Sequence, residues 1–375
     1  MVYFDNAATT FPKPESVYEA MDFAQRNLSF NAGRGSYRES RDCRRVLDEA
    51  REEIASLCGA EGKDVALLSS ATEALNLIIA GLDLTETSNV YISPFEHNAI
   101  VRPLFNLERS RGIKIHILPF DKKTWEPDTA KIQNMFALNK PTAVFCSQIS
   151  NVTGLLLDYS QVFSLAKKHD AITVLDAAQG FGIEPIKKNN VDFIVFAGHK
   201  SLYGPFGIGG FINLGSKELS VVKSGGTGSD TLNHFMPDAG HERYESGSSN
   251  VPAAYAISAG IKWLRSTQIR KRETELTEHL IKSLSQLHKV TVFLPAEKAK
   301  VLGIVSLAVD GYSADEVGDI LGDEFGFCVR MGYHCSPFVH DFIGSSTTGG
   351  TVRISLGYFN SSEEIDALVS ALATL

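Results

Sequence analysis

Val191-Asp192-Phe193-Ile194-Val195-Phe196-Ala197-Gly198-His199-Lys200 is the stretch on which the reading of this chain turns. An apolar run of β-branched and aromatic residues reads as a buried strand. It ends in small residues and presents His199 and Lys200, and the chain then turns at Gly204-Pro205. That puts an amine at the C-terminal end of a buried strand, where open α/β sheets carry their chemistry. A lysine held there loses its proton cheaply and attacks a carbonyl carbon. A lysine after a strand is also an ordinary surface residue, so the rest of the chain has to decide.

Outward from this stretch the pattern alternates. Strands are predicted at Val65–Leu68, Val90–Ser93, Lys114–Leu118, Ala143–Ser147, Ile172–Asp176 and Phe193–Ala197, with helices between most of them. Ile208–Leu214 follows after a short turn and reads as an antiparallel edge strand. Such alternation predicts an α/β fold with a mostly parallel seven-stranded sheet between helices. A helix over roughly Pro252–Leu287, broken at most once, leads into strands at Val290–Phe293, Ile304–Val309, Cys328–Arg330 and Thr351–Leu356, a smaller α+β layer. Residues 15–255 are expected to form the large domain and 256–375 the small one. Residues 1–14 read as an irregular segment returning to the small domain.

Composition narrows the function classes. The 375 residues are 43% hydrophobic and 21% charged, as in ordinary globular proteins. A net charge of -8 leaves no basic excess for nucleic acid. No run reaches the roughly 20 apolar residues of a membrane helix, and Met1–Asp5 does not read as a signal peptide. Five cysteines, an odd number without CxxC spacing, fit a reducing cytoplasm and no metal site.

Chemistry-bearing residues cluster at the predicted strand ends. Ser70 and Glu73 have capping-box spacing, and the helix start at Ala71-Thr72 offers N–H groups and a hydroxyl to a phosphate. His97 follows a strand and can stack on a flat ring or move protons as a catalytic residue, or simply cap a helix. Asp176 ends an apolar run, needs a cationic partner, and would suit a protonated ring nitrogen, with Gln179 in reach of a ring hydroxyl. Asp176, Lys200 one strand later and a phosphate-ready helix start together are what pyridoxal 5'-phosphate requires. Cys335 sits in a loop beside His334 with Arg330 near, and neighbouring positive charge favours a reactive thiolate. Arg353 interrupts an alternating strand, positioned for a carboxylate or for a structural ion pair.

Taken together these motifs resemble the class V aminotransferase group of fold-type I pyridoxal-phosphate enzymes, and within it the cysteine desulfurase/selenocysteine lyase family. The resemblance spans Tyr3–Thr10, Asn31–Gly35, Ser70–Ala74, Glu96–Asn98, Ser150–Gly154, Asp176–Gln179, Gly198–Lys200, Glu245–Ser248, Arg330–Cys335 and Thr351–Arg353. It implies that Lys200 links covalently to the cofactor and moves protons, that Asp176 pairs with the ring nitrogen, that Gln179 meets the ring hydroxyl and that His97 stacks. It implies a phosphate cup of Ala71, Thr72 and His199, completed by Ser248 from a second subunit, hence a homodimer. Arg353, helped by Asn151, would bind the substrate carboxylate beside Arg330. Cys335 would take the sulfur of L-cysteine as a persulfide, releasing alanine, and pass it to an acceptor protein, as the compact loop of type II desulfurases does. Ala197 stands where the family generally has Ser or Thr, and Ser248 where it usually has Thr. The run Gly225–Asp230 and Cys335-Ser336-Pro337 with His340 look like a less characterised branch. Selenocysteine or cysteine sulfinate cleavage, transamination, and a non-catalytic sulfur-relay scaffold are the alternative readings.

Overall fold

A computed structural model describes residues 1–375 except Arg34, Ser216 and residues 229–231. Arg34 of the glycine loop and Ser229-Asp230 of the Gly225 run therefore lie outside the described residues. The chain starts with β1 (Val2–Tyr3), α1 (Glu15–Asn27) and α2 (Arg38–Ser56). Strands and helices then alternate through β2 (Val65–Leu68), α3 (Ala71–Gly81), β3 (Asn89–Ile92), α4 (Asn98–Arg111), β4 (Lys114–Ile117), α5 (Thr129–Leu138), β5 (Ala143–Ser147), α6 (Tyr159–Lys167) and β6 (Ile172–Asp176). β7 (Phe193–Ala197) and β8 (Gly209–Asn213) complete a seven-stranded sheet of order β2-β8-β7-β6-β5-β3-β4.

β4, β3, β5, β6 and β7 run parallel, and β8 is antiparallel to both neighbours. The link from β7 to β8 is too short for a crossover helix, which forces the reversal. β8 is not the edge, contrary to expectation: β2 pairs outside it. A short strand near the start of the chain carries no sequence mark of where it will dock. Both faces of the sheet are covered, so β7 reads as one apolar run. Ile194 and Phe196 pack against α2, α5 and α6, while Phe193 and Val195 pack against α3 and α4.

The next helix is two: α7 (Val251–Ser266) and α8 (Ile269–Leu284), parted at Thr267-Gln268. β9 (Val290–Phe293), β10 (Ile304–Val309), α9 (Ala314–Asp323), β11 (Phe327–Cys328), β12 (Arg330–Gly332), α10 (Pro337–Ile343), β13 (Thr351–Ser355) and α11 (Ser362–Leu372) follow. β12, β13, β10 and β9 form an antiparallel sheet in that order. The single strand expected at Cys328–Arg330 is split at Val329. β11 pairs in parallel with β1, and β12 turns to pair with β13. The first residues are thus extended rather than irregular, and Phe4 is buried with Val305, Ile354 and Phe327. α10 is too short for periodicity to reveal, although Pro337 at its start and Gly344 at its end, with φ 82°, are fitting terminators.

The two sheets meet at a close approach. Gly154 has φ +69°, and a Cβ there would lie 2.3 Å from the Ile304 carbonyl oxygen, so only glycine fits. Among the described residues no helix is long and apolar enough to cross a membrane.

Candidate active site

One cavity lies at the C-terminal ends of β6 and β7. Its walls include Thr72, His97, Asp176, Gln179, His199 and Lys200, with Ala71, Asn151 and Ala197 also reaching it. The alternating pattern of buried strands ending in polar turns thus gathers six of the expected residues, and Ala71 and Asn151 with them. This is where parallel sheets expose free backbone groups and helix starts.

Each side chain is held in a defined way. Ser70 caps α3 by accepting the Glu73 N–H at 3.1 Å. The expected capping box is only half made, because Glu73 returns its carboxylate to the Ser69 N–H at 2.9 Å instead. Gly209 of β8 lies against this helix start: a Cβ there would sit 2.8 Å from the Ala71 nitrogen. His97 caps α4, its Nδ1 accepting the Ala99 N–H at 3.0 Å. Burial first, then the cations Lys200, Arg330, Arg353 and Arg102, push its pKa down to about 3, so the ring is neutral. Asp176 accepts the Ala178 N–H at 3.0 Å, and burial raises its pKa. Lys200 has its pKa lowered, mainly by burial, with Asp176 opposing. Gln179 donates to the Ala7 carbonyl at 2.9 Å, holding the N-terminal segment over the cavity. His199 stacks on Phe206 with centroids 4.6 Å apart; burial lowers its pKa to about 4, and its Nδ1 is buried without a partner.

Residues of the small domain lie near this cavity, with Arg353, Arg330 and Cys335 close enough to act electrostatically on Lys200. Asn151 ties three pieces together. Its Nδ2 donates to the His334 carbonyl at 2.7 Å, its Oδ1 accepts from Ser336 Oγ at 2.7 Å, and its own carbonyl accepts Arg353 Nη1 at 2.8 Å. The residues it grips flank Cys335, which is exposed with φ +58°. The Cys335 carbonyl accepts the N–H of Asn98 at 2.7 Å, next to His97. His334 does not supply the positive charge expected of it. Its Nε2 is taken up by Thr351, and burial pushes its pKa down to about 2. Arg353 is 2% exposed and donates Nη2 to Asp5 at 2.6 Å; Arg330 Nη1 is 4.0 Å from the same carboxylate.

Ser248 is not brought to this cavity. It is exposed in a separate cleft with Asn31, Gly33 and Gly226. Three participants carry no role in the sequence reading. Glu96 is wholly buried and accepts from Ser147 N and Oγ, both at 2.8 Å, as well as from Ser93. Lys13 donates to the His199 carbonyl at 2.8 Å and to Thr10 at 2.7 Å. Asp5 faces the two arginines. A lone acid or lysine in a loop has no periodic signal; only the carboxylate of Glu96, directly before His97, could have drawn notice.

A mostly parallel α/β sheet with a lysine and an aspartate at adjacent strand ends defines a class of enzyme, and the comparisons agree. The chain matches the family model for aminotransferase class V over residues 2–368, and it belongs to that family. A probable cysteine desulfurase of Pyrococcus abyssi is 30% identical over 100% of this chain and 94% of the relative. One of Vibrio cholerae is 31% identical over 99% of this chain and 93% of its own length. Among solved structures, the apo cysteine desulfurase of Thermococcus onnurineus has a TM-score of 0.90 at 28% identity, covering 100% of this chain and 94% of that one. A cysteine desulfurase of Escherichia coli has a TM-score of 0.87 at 25% identity, covering 99% and 94%.

Proposed function

We propose that this protein is a pyridoxal 5'-phosphate-dependent cysteine desulfurase acting as a homodimer. It converts L-cysteine to L-alanine and transfers the sulfur to Cys335 as a persulfide, for hand-over to an acceptor protein. The observation that carries the reading is Asn151, whose side chain holds both flanks of Cys335 while its carbonyl holds Arg353.

The residues fit the cofactor. His199 Nδ1 is a buried ring nitrogen with no partner, and the open start of α3 at Ala71-Thr72 shares its cavity; both suit a phosphate. Asp176 suits a pyridinium N–H, and the neutral flat ring of His97 suits stacking. Gln179, already bound to Ala7, would hold the ring hydroxyl with its amide. Ser248 would complete the phosphate cup in the partner subunit. When bound, pyridoxal phosphate supplies an electron sink for negative charge at the substrate Cα.

The protein's own groups do the rest. Burial lowers the pKa of the Lys200 amine, which favours the free amine that bonds the cofactor and later carries the Cα proton. Arg353, with Asn151 and Arg330, orients the substrate carboxylate. The Cys335 thiolate attacks the substrate sulfur: an S–S bond forms, the Cβ–S bond breaks, and its electron pair goes to carbon, which a proton then completes to alanine.

Incubation of the purified protein with L-cysteine and a reductant is expected to give sulfide and alanine in equal amounts. Cys335→Ala should abolish both from cysteine yet spare selenocysteine. Lys200→Ala should lose the visible absorbance of the bound cofactor. Sulfide at the wild-type rate from Cys335→Ala would overturn the mechanism.

A further inference from the structure

Glu96 stands directly before His97 and is wholly buried. Its carboxylate grips one residue with both oxygens. Oε1 accepts the Ser147 N–H and Oε2 accepts the Ser147 hydroxyl, both at 2.8 Å. Ser93 donates its hydroxyl to Oε1 as well. All three partners are donors, so an ionised carboxylate satisfies them, and a neutral amide cannot without turning a hydroxyl round. Burial, with the charge of Asp176 adding to it, lifts the Glu96 pKa to about 7 against the pull of those serines.

Ser147 ends β5 and is the register partner of Asp176 at the end of β6. Register partners on neighbouring parallel strands, about 4.8 Å apart, present their side chains to the same face. Both residues line the cavity that holds Lys200 and His97. With its proton committed to Glu96, the Ser147 hydroxyl offers only lone pairs on the side of Asp176.

We propose that Glu96 is a positioning residue that holds the Ser147 proton away from Asp176, keeping that carboxylate open to a protonated ring nitrogen. It rests on the reading that the cavity binds pyridoxal 5'-phosphate through Asp176. A hydroxyl released from Glu96 would turn its proton toward Asp176 and compete with the ring N–H for the same acceptor. The acid thus acts on the cofactor through one hydroxyl, without touching it. A carboxylate that served only to tie the end of β3 to the end of β5 would act on the fold and not on the cofactor.

The test uses the purified holoenzyme at pH 8, dialysed to equilibrium, with the dissociation constant of pyridoxal 5'-phosphate read from its visible absorbance. Glu96→Gln is expected to raise that constant roughly tenfold, the scale of one weakened charge-assisted hydrogen bond. Adding Ser147→Ala, which leaves no proton to misplace, is expected to restore the wild-type value. A loss that persists in the double variant overturns the proposal, because charge or packing is then the cause. An unchanged constant in a folded Glu96→Gln protein overturns it as well. Should that variant fail to fold, Glu96→Asp keeps the charge but is one methylene short of spanning both Ser147 groups. It is expected to show the same rise and the same rescue, and the absence of either overturns the proposal equally. A wild-type protein that binds the cofactor yet makes no sulfide from L-cysteine would sink the desulfurase reading alone, because the dialysis does not depend on turnover.

Discussion

Cys335 and His334 both adopt left-handed backbone, with φ +58° and +47°. For residues with a Cβ this costs roughly 1–2 kcal/mol each. The Asn151 and Thr351 hydrogen bonds around them hold that conformation in place. His334, His97 and His199 illustrate how burial changes a residue type known for switching near neutral pH. Their pKa values are pushed down to about 2, 3 and 4. Of the ten histidines in the chain, these three are expected to stay neutral from pH 8 down to pH 5. Nitrogen-15 NMR of histidine-labelled protein checks this, and a ring titrating near pH 6.5 at any of the three positions would contradict it. The identity of these histidines was legible at two positions, where a strand end preceded them. Their charge was not, because it depends on neighbours from other strands.

At the scale of elements, α8 sends Glu273 against Tyr203, in the turn after Lys200. The carboxyl is 6% exposed, its Oε1 lies 3.3 Å from the tyrosine hydroxyl, and burial raises its pKa to about 8. The unfolded chain releases this proton near the usual value of 4.5, while the folded chain retains it to about 8. Between these the unfolded state binds fewer protons, so stability falls as pH rises through the window. Melting temperatures of wild type are expected to drop from pH 5 to pH 8 relative to Glu273→Gln, as the folded state loses on the order of a few kcal/mol of stability by the top of the window. Parallel profiles for the two proteins would refute it. α8 itself was expected as part of a long helix broken at most once, and nothing in its sequence marks an acid turned inward. β11 and β12 show the same limit. A strand's propensity lies in its residues, but Val329 changes partners only because β1 arrives from the other end of the chain.

At the scale of the molecule, the active cavity depends on how the two sheets are set against each other, and Gly154 is a point of contact. Gly154→Ala must accept φ +69° and a Cβ 2.3 Å from the Ile304 oxygen. It is expected to cost roughly 2–4 kcal/mol, seen as a lowered denaturation midpoint. Gly322, in α9 with open space around it, is the control: alanine there should raise the midpoint by about 0.5–1 kcal/mol. Equal effects at the two positions would show that the contact is not tight. By itself the sequence determined the α/β alternation, the strand ends bearing Asp176 and Lys200, and the helix start at Thr72, because hydrophobic period and turn chemistry are local properties. Only the tertiary structure decided that Asp5 stands between Arg353 and Arg330, that Asn151 grips the Cys335 loop, and that His334 is neutral. The first two facts join residues 183 to 348 positions apart, the third depends on burial, and burial is not written in any one segment.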